Sequence, residues 1–168
     1  MGGEKMKKLI YAVILLSLMV FLCSCIIVLP SSDSIGEAKT FQKDGLTITL
    51  TDKFKEEESK VGFDAYYTSN FCGVMVLKEE FTLEEGLADR ELSTYIENVI
   101  ENNGHTDIEP QNRDGLWYYV KNAGNLRYYS YCYKGSDAFW IVQFGCYQSA
   151  LQTMENQIFF WAKSVKVE

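Results

Sequence analysis

Apolar and polar residues begin to alternate regularly at Phe41, and from there the chain reads as β structure. Phe41 to Lys43 leads into Asp44-Gly45, a two-residue turn signal, and then into Leu46-Thr47-Ile48-Thr49-Leu50. The strict period of two in that second run marks a strand with one buried face. Asp52 to Lys60 is charged and aperiodic, the pattern of a loop. Phe63 to Thr68 and Gly73 to Phe81 form the next two strands around a turn at Ser69 to Phe71, and Val74-Met75-Val76-Leu77 is apolar on both faces. A strand of that kind belongs in the middle of a sheet, beneath a helix.

The period then lengthens. Thr82-Leu83-Glu84-Glu85 has the spacing of a capping box, and Leu92, Tyr95, Ile96, Val99 and Ile100 follow at the intervals of one helical stripe that ends at Gly104. Residues 107–112 read as a weak strand. Asp114-Gly115 turns into Leu116 to Lys121, Asn122 to Asn125 turns into Leu126 to Tyr133, and Gly135-Ser136-Asp137 turns into Ala138 to Tyr147. Ser149-Ala150-Leu151-Gln152 has a second capping-box spacing, and Leu151, Met154, Ile158 and Ala162 share one face of the helix it opens. Ser164 to Val167 closes the chain as a short strand. The pattern predicts the α+β class: one twisted antiparallel sheet of six to eight strands with two main helices packed on it.

The first thirty residues follow a different rule. Lys5, Lys7 and Lys8 precede an unbroken apolar run from Leu9 to Leu22, shorter than the roughly 20 residues of a spanning helix. Leu22-Cys23-Ser24-Cys25 resembles the lipobox of bacterial lipoproteins. That resemblance implies cleavage before Cys25 and a lipid on its thiol; an uncleaved single-pass anchor is the competing reading. The expected organisation is a lipoprotein signal peptide over 1–24, a lipidated cysteine and linker over 25–39, and one domain over 40–168. Both readings put that domain on the extracytoplasmic face of the cell membrane.

Charge narrows the partners. The chain carries 16 basic and 23 acidic residues; removing Glu4, Lys5, Lys7 and Lys8 with the signal leaves 13 and 22, a net charge of −9. That balance argues against nucleic acid, which needs basic stripes, and against adhesion to anionic head groups without a lipid anchor. The cysteines of the domain are Cys72, Cys132 and Cys146. A hairpin turning near Gly135 and Ser136 puts Cys132 opposite residues 139–141, so Cys146 is not its neighbour. All three are expected to be reduced, buried side chains, with a lone reactive thiol as the alternative.

The order of elements carries a second resemblance. Phe41-x-x-x-Gly45-Leu46-x-Ile48-x-Leu50, then a hairpin, a helix, a three-strand meander and a C-terminal helix ending in Ser164-Val165-Lys166-Val167, resembles the PsbP-like fold. That fold is shared by the extrinsic photosystem II protein that names it, by a eukaryotic protein that binds the GTPase Ran, and by small bacterial lipoproteins. The resemblance covers about residues 38–168. It implies a scaffold used for binding proteins, and it transfers no ligand or catalytic residue.

Candidate chemistry is sparse. His105 lies just past the helix-ending Gly104, and no nucleophile elbow accompanies it, so it reads as an ordinary loop histidine. Glu56-Glu57-Glu58, Glu79-Glu80 and Glu84-Glu85 lack the alternating pattern of a calcium loop and read as solvated acids. No cofactor and no metal are expected, and the chain does not read as an enzyme. The feature that stands out is aromatic density between Trp117 and Tyr147. Alternation puts Tyr129, Tyr131 and Tyr133 on one strand face and Tyr128, Ser130 and Cys132 on the other, so one set is expected to be exposed. Trp117, Tyr119, Tyr129, Tyr131 and Tyr133 are the candidate binding surface, the competing reading being a ladder that stabilises the sheet. The expected function is a membrane-anchored module that binds another envelope protein without catalysis. The alternative is a lipoprotein that offers the Tyr-rich face to a glycan or a small apolar molecule.

Overall fold

The computed structural model describes residues 36–58 and 62–168. The expected signal peptide and Cys25 fall outside the described residues. The chain runs β1 (Ala38–Lys43), β2 (Leu46–Thr51), β3 (Lys55–Glu56), β4 (Ala65–Thr68), β5 (Cys72–Glu80), α1 (Leu92–Asn102), β6 (Gln111–Arg113), β7 (Leu116–Ala123), β8 (Leu126–Lys134), β9 (Ala138–Tyr147), α2 (Leu151–Lys163) and β10 (Lys166–Val167). Seven strands form one antiparallel sheet in the order β3-β4-β5-β9-β8-β7-β6. A separate three-stranded sheet, β1-β2-β10, holds the two ends of the domain together.

Local chemistry explains most of these elements. Lys43 pairs with Leu46 across Asp44 and Gly45, whose φ angles of 48° and 91° are both positive, as the tight hairpin turn requires. The same device, Asp114-Gly115 with φ of 51° and 83°, joins β6 to β7. Helix α1 buries Tyr95, Ile96, Val99 and Ile100, and Asn103 closes it by donating from Nδ2 to the Val99 carbonyl at 2.7 Å.

Two hydrophobic layers flank the large sheet. On one side, Val74, Val76, Trp140, Val142 and Phe144 meet Met154, Ile158, Trp161 and Ala162 of α2, with Leu46, Ile48 and Leu50 of β2 in the same cluster. Each Val, Leu, Ile, Phe or Met among them contributes roughly 1.5–3 kcal/mol on burial. On the other side, Tyr119, Cys132, Phe139 and Ile141 lie beneath α1. The strand β5, expected to be central and covered on both faces, pairs with β4 on one edge and β9 on the other.

The structure corrects four expectations in detail. The aperiodic stretch after Asp52 contains the two-residue strand β3, because its backbone finds Thr68 and Tyr67 as partners. The weak strand expected over 107–112 is confined to Gln111–Arg113. Neither capping box forms: Phe81–Leu83 and Gln148–Ala150 are single 3-10 turns, and no side chain caps the N-terminus of α1 or α2. Finally, Cys72 and Cys146 are joined in a disulfide, so only Cys132 is free among the described cysteines. Cys132 does lie opposite Ile141, as hairpin counting implies. The partner of Cys146 is instead Cys72, brought to it by the pairing of β5 with β9.

Candidate functional site

The five aromatic residues expected to form one surface are divided between two faces. Tyr119 stands opposite Ser130 and Trp117 opposite Cys132, so both project toward α1, whereas Tyr129, Tyr131 and Tyr133 project toward α2. Nor is one set of the strand's tyrosines exposed: Tyr128 to Tyr133 are buried on both faces, with Tyr129 3% and Tyr131 2% exposed. The reason is that each face of β8 has its own cover. Tyr131 stacks on Tyr118 at 5.0 Å and meets Phe144 edge-on at 5.9 Å, and the Tyr133 hydroxyl donates to the Ala162 carbonyl at 2.9 Å. Burial pushes the Tyr131 and Tyr133 phenols well above their ordinary range, so they stay neutral.

On the α1 side the sheet carries a row of buried polar groups. Glu79, on β5, is 9% exposed and accepts a 2.6 Å hydrogen bond from the Tyr95 hydroxyl. Its pKa is raised mainly by burial, with the Tyr95 bond opposing, Glu84 adding to the rise and Arg90 reducing it. Tyr95 in turn stacks on Phe139, ring centroids 4.0 Å apart. Further along the face, Gln143 Nε2 donates to Ser130 Oγ at 2.8 Å, and burial pushes the Tyr119 phenol up to about 12 while its bond to Ser130 works against that rise. Cys132 lies between these groups, and burial pushes its thiol far above the reactive range. Glu79 with Tyr95, and Gln143 and Tyr119 with Ser130, bond one another on the face that α1 covers, which is the arrangement of a satisfied polar core.

Beyond α1 the same face is roofed by its own side chains. Gly73 pairs with Gly145, and a Cβ on Gly145 would stand 2.7 Å from Tyr128 Cε1. A Cβ on Gly73 would stand 3.6 Å from the ring and hydroxyl of Tyr66. The two glycines let the two tyrosine rings lie down on the sheet.

One concavity opens to solvent at the C-terminal end of α1. It holds about 210 Å³, with Ile100, Ile108 and Pro110 as apolar lining and Glu97, Glu101 and His105 at its sides. The His105 ring lies 6.4 Å from that of Tyr119. Burial first and Lys121 second lower the His105 pKa, with Asp107 opposing them, so the balance favours the neutral imidazole. Thus His105 is a wall residue of this depression. Among the described residues no three His, Cys, Asp or Glu side chains converge as a metal site would need.

Neither the buried Glu79–Tyr95 pair nor this depression was anticipated from the chain. The signal for the pair was present in the alternation, since Glu79 occupies the same face of β5 as Met75 and Leu77, and Tyr95 lies on the buried stripe of α1. The depression had none, because it depends on how residues 105–110 leave the helix.

No protein-family model matches the chain, and no curated protein matches it either. Among solved structures it is similar to the solution structure of cyanobacterial PsbP (CyanoP) from Synechocystis sp. PCC 6803. The two share 14% sequence identity with a TM-score of 0.55, over 88% of this chain and 99% of that one. The fold is therefore PsbP-like.

Proposed function

We propose that this PsbP-like domain is a lipoprotein module: a lipid on Cys25 holds it to the extracytoplasmic face of the cell membrane, and it binds another envelope protein there without catalysis. The observation that carries the reading is the Cys72–Cys146 disulfide. A cystine persists in oxidising compartments and is rare in the cytosol. It thus supports export independently of the basic, apolar and Leu22-Cys23-Ser24-Cys25 segments at the N-terminus. Binding rather than catalysis is supported by where the perturbed groups lie. Glu79, Tyr119 and Cys132 are enclosed beneath α1 and Tyr95 lies on its buried stripe, whereas a catalytic pair has to meet its substrate. The Tyr-rich strand does not favour a glycan or small apolar ligand, because Tyr129, Tyr131 and Tyr133 have no free face to offer.

Cross-linking in intact cells, followed by purification of the lipidated protein, tests this reading. One envelope protein should co-purify in fixed stoichiometry, and Cys25→Ala should abolish lipidation and leave an unprocessed precursor that retains residues 1–24. A lipidated protein that is recovered without a stoichiometric companion would contradict the binding role.

A further inference from the structure

We propose that the depression at the C-terminal end of α1 receives one arginine side chain from the protein partner. This rests on the protein-binding reading above and gives that partner a chemistry.

The lining has two halves. Ile100, Ile108 and Pro110 offer an apolar wall, and Glu97 and Glu101, both exposed, line the depression from α1. Four residues apart on α1, these two acids share one edge of the helix, their Cβ atoms about 5–6 Å apart. Among the described residues neither forms an ion pair; those that occur join Lys43, Lys53, Lys78, Arg90 and Lys163 to other acids.

The acids also stand where a helix least favours them. Like charges one turn apart repel, and Glu101 occupies the last turn, where the helix dipole adds negative potential and no basic residue answers it. The terminal carbonyls are already occupied by Asn103, Gly104 and His105, which donate to Val99, Glu101 and Ile100. Burial and Lys121 both lower the His105 pKa, which disfavours a compensating charge there. Glu97, Glu101 and the helix end therefore put negative potential beside an apolar pocket whose lining holds no Lys or Arg, with Lys121 near His105 opposing it from outside the lining.

Arginine fits this combination. Its methylene stem matches the wall, and its planar head has five donors, enough to bridge both carboxylates. A divalent metal ion would find only two carboxylates against an apolar wall, short of its oxygen shell. An anionic ligand meets repulsion. The chain's net charge of −7 also steers basic segments toward it.

The test uses full-length protein in detergent and an uncharged synthetic host peptide carrying one arginine, with the citrulline version as its control. Amide NMR shifts should change over residues 97–110 with the arginine peptide and not with citrulline. Glu97→Gln/Glu101→Gln should weaken binding about tenfold or more. The charge-matched Glu58→Gln/Glu85→Gln should stay within about twofold. Glu101→Gln should also raise the melting temperature of the free protein, a readout that shows the variant is folded. Equal binding of citrulline, equal weakening by both double variants, or shifts confined elsewhere would overturn the proposal. If the peptide fails to bind while an envelope protein is still captured from membranes, the arginine site falls and the module reading stands. If the peptide binds as expected and no companion is captured, the site stands and the envelope-protein reading falls.

Discussion

Cys72 and Cys146 face each other across the pairing of β5 with β9, Cα atoms 4.3 Å apart and sulfurs joined, with 74 residues of chain between them. Everything from α1 through the β6–β9 meander lies inside the loop that this bond closes. Its effect is therefore mainly on the unfolded chain, which loses freedom when so long a loop is tied.

Cys72→Ser/Cys146→Ser should lower unfolding free energy by about 2–4 kcal/mol. Urea titration of the oxidised protein and of the double variant measures this. Identical midpoints would show that the bond is absent or contributes nothing.

Glu79 gives a pH signature whose sign follows from burial. Its folded pKa is raised above the unfolded value, so the folded form holds the proton more tightly. The stability it contributes is fully present below the unfolded value near 4.5 and is lost as pH rises through the folded value. Glu79→Gln keeps an acceptor for the Tyr95 hydroxyl and removes the titration. The variant should gain on the wild type as pH rises from about 4 to about 8, a trend that thermal melts across this range would show. A wild type that gains on the variant with rising pH would contradict the assignment.

Gly145 and Gly73 should respond differently to the same change. Gly145→Ala brings a Cβ to 2.7 Å from the buried Tyr128 ring and should cost about 1–3 kcal/mol. Gly73→Ala meets nothing nearer than 3.6 Å and should be close to neutral. Paired denaturation curves test the glycine floor, and equal costs would contradict it.

Tyr131 is a core residue, and its removal should show in stability rather than in partner capture. Tyr131→Ala should cost about 3–5 kcal/mol, the range of large aromatic truncations. Capture per folded molecule should be unchanged. A variant of wild-type stability that loses the partner would restore the strand as a binding surface.

Much of this fold is legible in the chain because each signal is local. Asp44-Gly45 and Asp114-Gly115 announce their turns, Leu46 to Leu50 alternates, and the stripe from Leu92 to Ile100 has one buried side. What was not legible depends on which distant strands become neighbours. Hairpin counting finds Ile141 opposite Cys132, but nothing near Cys146 in sequence points to Cys72. The same limit explains Tyr129, Tyr131 and Tyr133: alternation assigns them to one face, but cannot tell that α2 and α1 both cover the strand. For the candidate site, the residue types of Glu97, Glu101 and His105 were visible while their convergence was not. That convergence is set by the path of the chain after Gly104, where φ is 69°.

Export of the domain and its attachment at Cys25 can be read together by mass spectrometry of the protein purified from membranes, unfolded and alkylated without reduction, and digested. The expected products are an N-terminal peptide beginning at Cys25 with a lipid on its sulfur, a Cys72–Cys146 linked peptide, and a peptide alkylated at Cys132. A chain that retains residues 1–24, an unmodified Cys25, or alkylated Cys72 and Cys146 would contradict it.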